Sequence, residues 1–249
     1  MRIHQFHHLY QHRLAQATKP FNARGSKVNR CSYCQVVETQ CICSLQPNIE
    51  TKFAVMLLVS DNEILKPSNT GRLIADTVKQ TFVFKWHRTE PDRQMLTLLQ
   101  DDNFQPVVVF PSEYVDDQTR LIELNKHQFG EKTPLLIFID GSWREAKRIF
   151  RRSSYLQHLP VTSITPQRLS QYMMRKASKD NHLSTAEVAC AVIEDLGDKF
   201  ASTTLSLWFE VFKESYLLSK TRLKTDIELR EQAIIRYQNH VKMTAKNEK

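Results

Sequence analysis

The sequence predicts an α/β protein built on a mainly parallel sheet, preceded by a four-cysteine zinc motif and followed by a helical C-terminal region. Three observations carry that prediction. Short apolar runs alternate with helical-period segments from Lys52 onward. The run Leu135 to Ile139 ends in Asp140-Gly141-Ser142-Trp143, just ahead of an amphipathic helix. Cys31, Cys34, Cys41 and Cys43 crowd into one short stretch.

In chain order, Ile3, Phe6, Tyr10 and Leu14 recur at helical spacing and mark an opening helix. His4, His8 and His12 share a face of it. With no carboxylate or thiol nearby in sequence to complete a metal site, that face is expected toward solvent. Phe53 to Val59 then reads as a strand, Asn69 to Lys79 as a helix, Thr81 to Trp86 as a strand and Asp92 to Gln100 as a helix. Val107 to Phe110, the segment near Asp117 to Gln128, Leu135 to Ile139 and Trp143 to Arg152 continue the alternation, which is the pattern of a parallel sheet with crossover helices. Val161 to Ile164 adds a strand, and Ser184 to Leu196, Leu205 to Leu218 and Asp226 to Val241 are helical. Residues 1–50 are expected to form the opening helix and zinc motif, 51–222 a catalytic domain, and 223–249 a C-terminal helix and tail.

Four thiols so closely gathered read as one tetrahedral zinc site, because thiolates are soft ligands and structural zinc takes four of them. A redox pair and four separate buried thiols are the competing readings. Cys190 lies on the apolar face of a helix and is expected to be an ordinary small hydrophobe.

The formal charge of +8 and the pI of about 9.3 favour a nucleic-acid or other polyanionic partner. No run of about 18 apolar residues could span a membrane as a helix. The histidine-bearing N-terminus lacks the continuous apolar core of a signal peptide, so a cytoplasmic location is expected. The glycines, at 25, 71, 130, 141 and 197, fit neither a dinucleotide-binding nor a P-loop fingerprint.

Asp140 falls at the carboxyl end of a strand, the edge where open parallel sheets bind ligands, and Ser142 is placed to cap the next helix. On that helix Trp143, Ala146, Ile149 and Phe150 make an apolar stripe, while Arg144, Lys147, Arg148 and Arg151 make a basic one. A catalytic carboxylate beside a polyanion surface and a plain cap beside a solvated charge run both fit this segment. Ser68, Asn69 and Thr70 at a helix start, flanked by Lys66 and Arg72, form a candidate anion site. Phe110-Pro111-Ser112-Glu113 lies at another strand end. Ser184-Thr185-Ala186-Glu187 fits a capping box, the structural reading favoured there. Arg168 and Arg175 could each hold a carboxylate or phosphate.

Taken together, the cysteine quartet, Lys66 to Arg72, Phe110-Pro111, Asp140-Gly141-Ser142-Trp143 and Ser184 to Glu187 resemble the DTW-domain family over nearly the whole chain, most of all its bacterial tRNA-uridine aminocarboxypropyltransferases. The family signature is Asp-x-Thr-Trp. Ser142 departs from it but keeps the hydroxyl. The resemblance implies S-adenosylmethionine as co-substrate and transfer of its 3-amino-3-carboxypropyl group to N3 of a tRNA uridine in the variable region, with 5′-methylthioadenosine leaving. It also implies a SPOUT-like trefoil-knot topology. The donor would then lie against Phe110, Pro111 and Ser112, against Asp140, Gly141, Ser142 and Trp143, and against the segment from Arg168 through Arg175 to Ser184, Thr185 and Glu187.

Uridine N3 attacks well only after losing its proton, so Asp140 is assigned as general base. Arg168 or Arg175 is assigned to the donor carboxylate, and Trp143 either stacks on a base or, as its apolar stripe favours, packs into the core. Lys27, Arg30, Arg144, Lys147, Arg148, Arg151 and Arg152 would contact tRNA phosphates, giving salt-dependent binding. A SPOUT-like RNA methyltransferase and a non-catalytic zinc-containing RNA-binding protein are the rival readings.

Overall fold

The computed structural model describes residues 1–18, 28–125, 128–164, 183–219 and 227–247. Among these, β1 (Ala54–Val59), β2 (Thr81–Lys85), β3 (Phe104–Val109), β4 (Thr133–Asp140) and β5 (Val161–Thr162) form one sheet in the order β2-β1-β4-β3-β5. Every pairing is parallel. β1 and β4 are central, so both their faces are covered and their sequences are continuous apolar runs. The expected α/β architecture on a mainly parallel sheet is therefore present, and among the described strands the sheet is parallel throughout.

Side chains alternate across a strand, and the two faces close two different cores. Val55, Leu57 and Val59 of β1 and Leu136 and Phe138 of β4 enter one core. Ala54, Met56, Leu58, Leu135 and Ile137 enter the other. The first core is covered by α1 (Gln5–Ala15), α3 (Gly71–Thr77), α6 (Thr185–Asp195), α7 (Lys199–Leu217) and α8 (Ile227–Asn247), and it takes in Cys34, Val36 and Ile42 of the cysteine segment. The second is covered by α4 (Arg93–Leu99) and α5 (Trp143–Arg152). Asp140 has the parity of Leu136 and Phe138, so strand geometry turns its carboxylate toward the α3 and α6 side.

Caps set the helix starts around that edge. The Ser142 hydroxyl accepts from the Glu145 N–H, and Glu145 returns to the Ser142 N–H at 3.0 Å. Ser184 and Glu187 make the same reciprocal box ahead of α6. A single turn, α2 (Asp61–Ile64), follows β1. No described helix is long and apolar enough to cross a membrane.

Three expectations are corrected. The stretch from Asp117 holds only a short 3-10 turn, Gln118–Arg120, followed by a parallel bridge from Leu121 to Val161, and residues 126 and 127 lie outside the described residues. The face bearing His4, His8 and His12 is turned to solvent only in part: His8 and His12 are exposed as expected, but His4 is buried and its Nε2 lies 2.9 Å from Asp76 Oδ1. Sequence distance hid that carboxylate, which α3, later in the chain than β1, brings into the same core as α1. Trp143 does not pack into the core but is 44% exposed. It is the first residue of α5, beyond the reach of the apolar face that buries Ala146, Ile149 and Phe150.

Candidate active site

The carboxyl ends of β1 and β4 and the starts of α3 and α6 converge on Asp140. Its Oδ2 accepts from Asn69 Nδ2 at 2.6 Å and its Oδ1 from Thr185 Oγ1 at 2.7 Å. Its backbone carbonyl accepts from the Ser60 N–H at 2.8 Å. The carboxylate is 2% exposed. Glycine is required at 71 because α3 begins directly against it: a Cβ there would sit 2.6 Å from Asp140 Oδ2 and 2.7 Å from its Cγ. Asn69 is held in turn by the Arg72 N–H, which donates to its Oδ1 at 2.9 Å. The Ala186 N–H reaches Thr70 Oγ1 at 3.4 Å and ties the two helix starts together.

Burial drives the Asp140 pKa up to about 6. The hydrogen bonds from Thr185 and Asn69 and the charge of Lys66 pull it back only partly, and Glu63 pushes it further up. Lys66 and Glu63 are themselves paired at 2.7 Å. A carboxyl that titrates near neutrality at the ligand-binding edge of a parallel sheet can take up or release a proton under ordinary conditions. Beside it, the Ser60 hydroxyl is buried without a hydrogen-bond partner among the described residues. The same hydroxyl lies 3.1 Å from where a Cβ on Gly141 would stand, so the glycine leaves a small polar recess there.

On the other face of the sheet, the start of α5 carries an aromatic shelf. Buried Phe110 stacks on Phe150 with ring centroids 4.2 Å apart and on Trp143 at 5.9 Å, and Tyr114 meets Trp143 edge-on at 5.4 Å. The Lys147 ammonium lies 4.4 Å from the Tyr114 ring centroid and 4.9 Å from that of Trp143. A groove of about 420 Å³ runs on from the shelf, lined by Trp143, Arg144, Lys147, Arg148, Arg151 and Arg152. Pro111 is half-buried and Ser112 exposed, and the Ser112 N–H donates to Ser163 Oγ.

The cysteine segment fits a tetrahedral cation. All four sulfurs lie within 4.8 Å of one another. Cys31 and Cys43 stand 3.5 Å apart and Cys34 and Cys41 3.8 Å apart, close to the ~3.8 Å edge of a tetrahedron with ~2.3 Å zinc–sulfur bonds. The chain turns between the two halves through Gln35, which is left-handed at φ 60°, and Cys31 and Val36 close the turn by an N–H to carbonyl bond of 2.9 Å. The hydrogen bond from Cys43 brings the Cys34 thiol down to about 5, and Cys43 is raised by the same contact.

The proposed anion site at the start of α3 needs correction. Arg72 is buried, donates to the Cys34 carbonyl at 2.7 Å and lies over the Phe212 ring at 5.3 Å, so it cannot reach a phosphate. Asn69 is buried on Asp140, and of that segment Ser68 is exposed. Arg30 is half-buried, donates to the Gln35 carbonyl and stacks over Tyr216. Arg144, Arg148, Arg151 and Arg152 face solvent. Lys27, Arg168 and Arg175 lie outside the described residues, as does the part of the expected knot between 165 and 182.

Sequence reasoning did not single out Ser60, Gly71 or Tyr114 as site residues. For Ser60 the available signal was a polar residue ending an apolar strand; for Tyr114, an aromatic just beyond Phe110-Pro111. For Gly71 it was only its place in the Lys66 to Arg72 stretch, because its requirement is a contact with a residue far along the chain.

Fold and edge together define an α/β protein with a buried, titratable carboxylate at the carboxyl end of a parallel sheet, joined to a cysteine cluster. A profile of the DTW domain matches residues 28–217, and the chain belongs to the DTW-domain family. It is 32% identical over 114 residues to a Drosophila melanogaster protein named tRNA-uridine aminocarboxypropyltransferase 2, a match covering 45% of this chain and 41% of that one. The chain thus spans about two fifths of that relative's length. No solved structure matches it.

Proposed function

We propose that this protein transfers the 3-amino-3-carboxypropyl group of S-adenosylmethionine to N3 of a tRNA uridine, as the resemblance to bacterial members of the family implies. The observation that carries the reading is Asp140. A buried carboxyl with a pKa of about 6 at a strand's carboxyl end suits removal of a weakly acidic imide proton. The recess beside Ser60 and Gly141 offers polar groups to the donor, and Trp143 with Tyr114 offers it, or a tRNA base, an aromatic face. Arg144, Lys147, Arg148, Arg151 and Arg152 supply the phosphate-binding surface. The SPOUT-like knot and the donor-carboxylate role of Arg168 or Arg175 belong to the same reading, as does a cytoplasmic location.

Cys31, Cys34, Cys41 and Cys43 would hold zinc. There it would supply a cross-link between the start of the chain and α3, through Arg72 on the Cys34 carbonyl.

The test is incubation of the full chain with S-adenosylmethionine and unmodified tRNA, followed by mass spectrometry of both products. Expected are 5′-methylthioadenosine, a tRNA nucleoside heavier by one aminocarboxypropyl group, and one equivalent of zinc on the purified, reduced protein. S-adenosylhomocysteine would move the chain to the RNA methyltransferases, and no consumption of donor would leave a binding protein.

A further inference from the structure

Asp140 has no free oxygen and almost no surface. Oδ2 is taken by the Asn69 amide at 2.6 Å and walled off by Gly71. Oδ1 is taken by the Thr185 hydroxyl at 2.7 Å. A base so enclosed cannot touch the nucleoside, yet the proton must reach it. Of the two groups that bind it, the Asn69 amide nitrogen only donates and is buried, whereas a hydroxyl donates and accepts at once, and Thr185 is half-buried. We infer that Thr185 is a catalytic relay residue, its hydroxyl standing between Asp140 and the uridine N3–H.

The inference rests on the transferase reading above. In the step it describes, the N3 proton passes to Thr185 Oγ1 while the hydroxyl proton passes to Asp140 Oδ1. The N3 electron pair forms the new N–C bond to the γ-carbon of the sulfonium donor. The C–S bond breaks, its electron pair stays on sulfur, and a neutral thioether leaves. Asp140 then returns its proton to solvent by the same hydroxyl.

The surroundings favour this route. Glu63 and Lys66 are the charged groups that act on Asp140 from the α2–α3 segment, and they are paired with each other. On α6, Glu187 is held by the Ser184 N–H and hydroxyl. On α5, Glu145 is held by Ser142 and by Asn62 Nδ2 at 2.7 Å. Each of these carboxylates is already engaged. The capping box also fixes Thr185 as the first residue of α6, so its hydroxyl is aimed by a rigid element.

The experiment compares Thr185→Val and Thr185→Ser with the wild-type chain, measuring methylthioadenosine formation from S-adenosylmethionine and unmodified tRNA across the pH range, with thermal unfolding alongside. Thr185→Val is expected to lower kcat by about 100-fold or more, with KM for donor and tRNA within about twofold. Thr185→Ser, which keeps the hydroxyl, should stay within about threefold of wild type. Losing the Thr185 bond also moves the acid limb of the Thr185→Val rate profile to higher pH, because that bond lowers the Asp140 pKa. A Thr185→Val enzyme with near wild-type kcat, or one impaired no more than Thr185→Ser and with an unmoved acid limb, overturns the relay alone. A wild-type chain that forms no methylthioadenosine overturns the transferase reading and the relay with it.

Discussion

Asp140 and Asp76 are the same residue at the same depth, 2% and 4% exposed, and the fold drives them in opposite directions. Asp76, on α3, accepts from Gln46 Nε2 at 2.8 Å and Trp208 Nε1 at 3.1 Å, and pairs with His4 Nε2 at 2.9 Å. Burial would raise its pKa, but the His4 bond, the charges of His4 and Arg72 and the Gln46 bond overcome that and bring it to about 2. Asp140 has two neutral donors and a nearby Glu63, and burial prevails. The difference is the number and charge of the donors. Met by three donors and nearby positive charge, a carboxylate is a permanent anion that fastens α1, the cysteine segment, α3 and α7 together. Met by two neutral donors, it is left able to titrate.

The largest effect is therefore expected where the carboxylate is structural. Asp76→Ala leaves three buried donors without their acceptor and the Arg72 guanidinium without its nearby opposite charge, and should cost about 3–5 kcal/mol in urea unfolding. A loss below about 1 kcal/mol would mean that these groups find water or other partners, and the contrast with Asp140 would collapse.

Gly71→Ala acts on the boundary between the two regions, since α3 carries Asp76 at one end and abuts Asp140 at the other. The added Cβ meets the Asp140 carboxylate at 2.6 Å. Relief requires moving either the helix or the carboxylate, at about 1–3 kcal/mol. Alanine's better helix propensity returns less than about 1 kcal/mol of that. A thermal melt showing Gly71→Ala as stable as wild type would mean that Asp140 is not pinned, and would weaken its difference from Asp76.

The same pair explains what could be read from the sequence. The strands were legible because β1 and β4 are buried on both faces and so are written as unbroken apolar runs, and α5 was legible to the residue because Ser142 and its two stripes mark its start and faces. The cysteine cluster was legible because its ligands are close in sequence. The partners of the two aspartates were not: His4, Gln46 and Trp208 meet Asp76, and Asn69 and Thr185 meet Asp140, from separate elements. Local pattern offers a different and cheaper account of each, a solvent histidine for His4, a helix-start anion site for Asn69 and Arg72, and a capping box for Thr185. The cap is indeed there, made by Ser184, and it leaves the neighbouring threonine for Asp140.

A change of stability in the opposite direction is expected where the change in activity is largest. Asp140→Asn removes a charge that burial disfavours and keeps the shape, and the Thr185 hydroxyl can turn to accept from the new amide while the amide oxygen accepts from Asn69. The sign follows from the raised pKa. The stability that Asp140 contributes is fully present below its unfolded value of about 3.8 and is lost as pH rises through about 6. At roughly 1.4 kcal/mol per pH unit the shift amounts to about 3 kcal/mol. Asp140→Asn should thus gain on the wild type as pH rises from about 4 to about 6 and keep that advantage above it, while methylthioadenosine formation disappears. Asp76 runs the other way. Its contribution is present above about 3.8 and fails only as pH falls toward about 2, so acid denaturation in that window persists in Asp140→Asn. If Asp140→Asn instead loses stability at pH 8 as Asp76→Ala does, then Asp140 is a second structural anion, and the base must be sought elsewhere along the sheet's carboxyl edge.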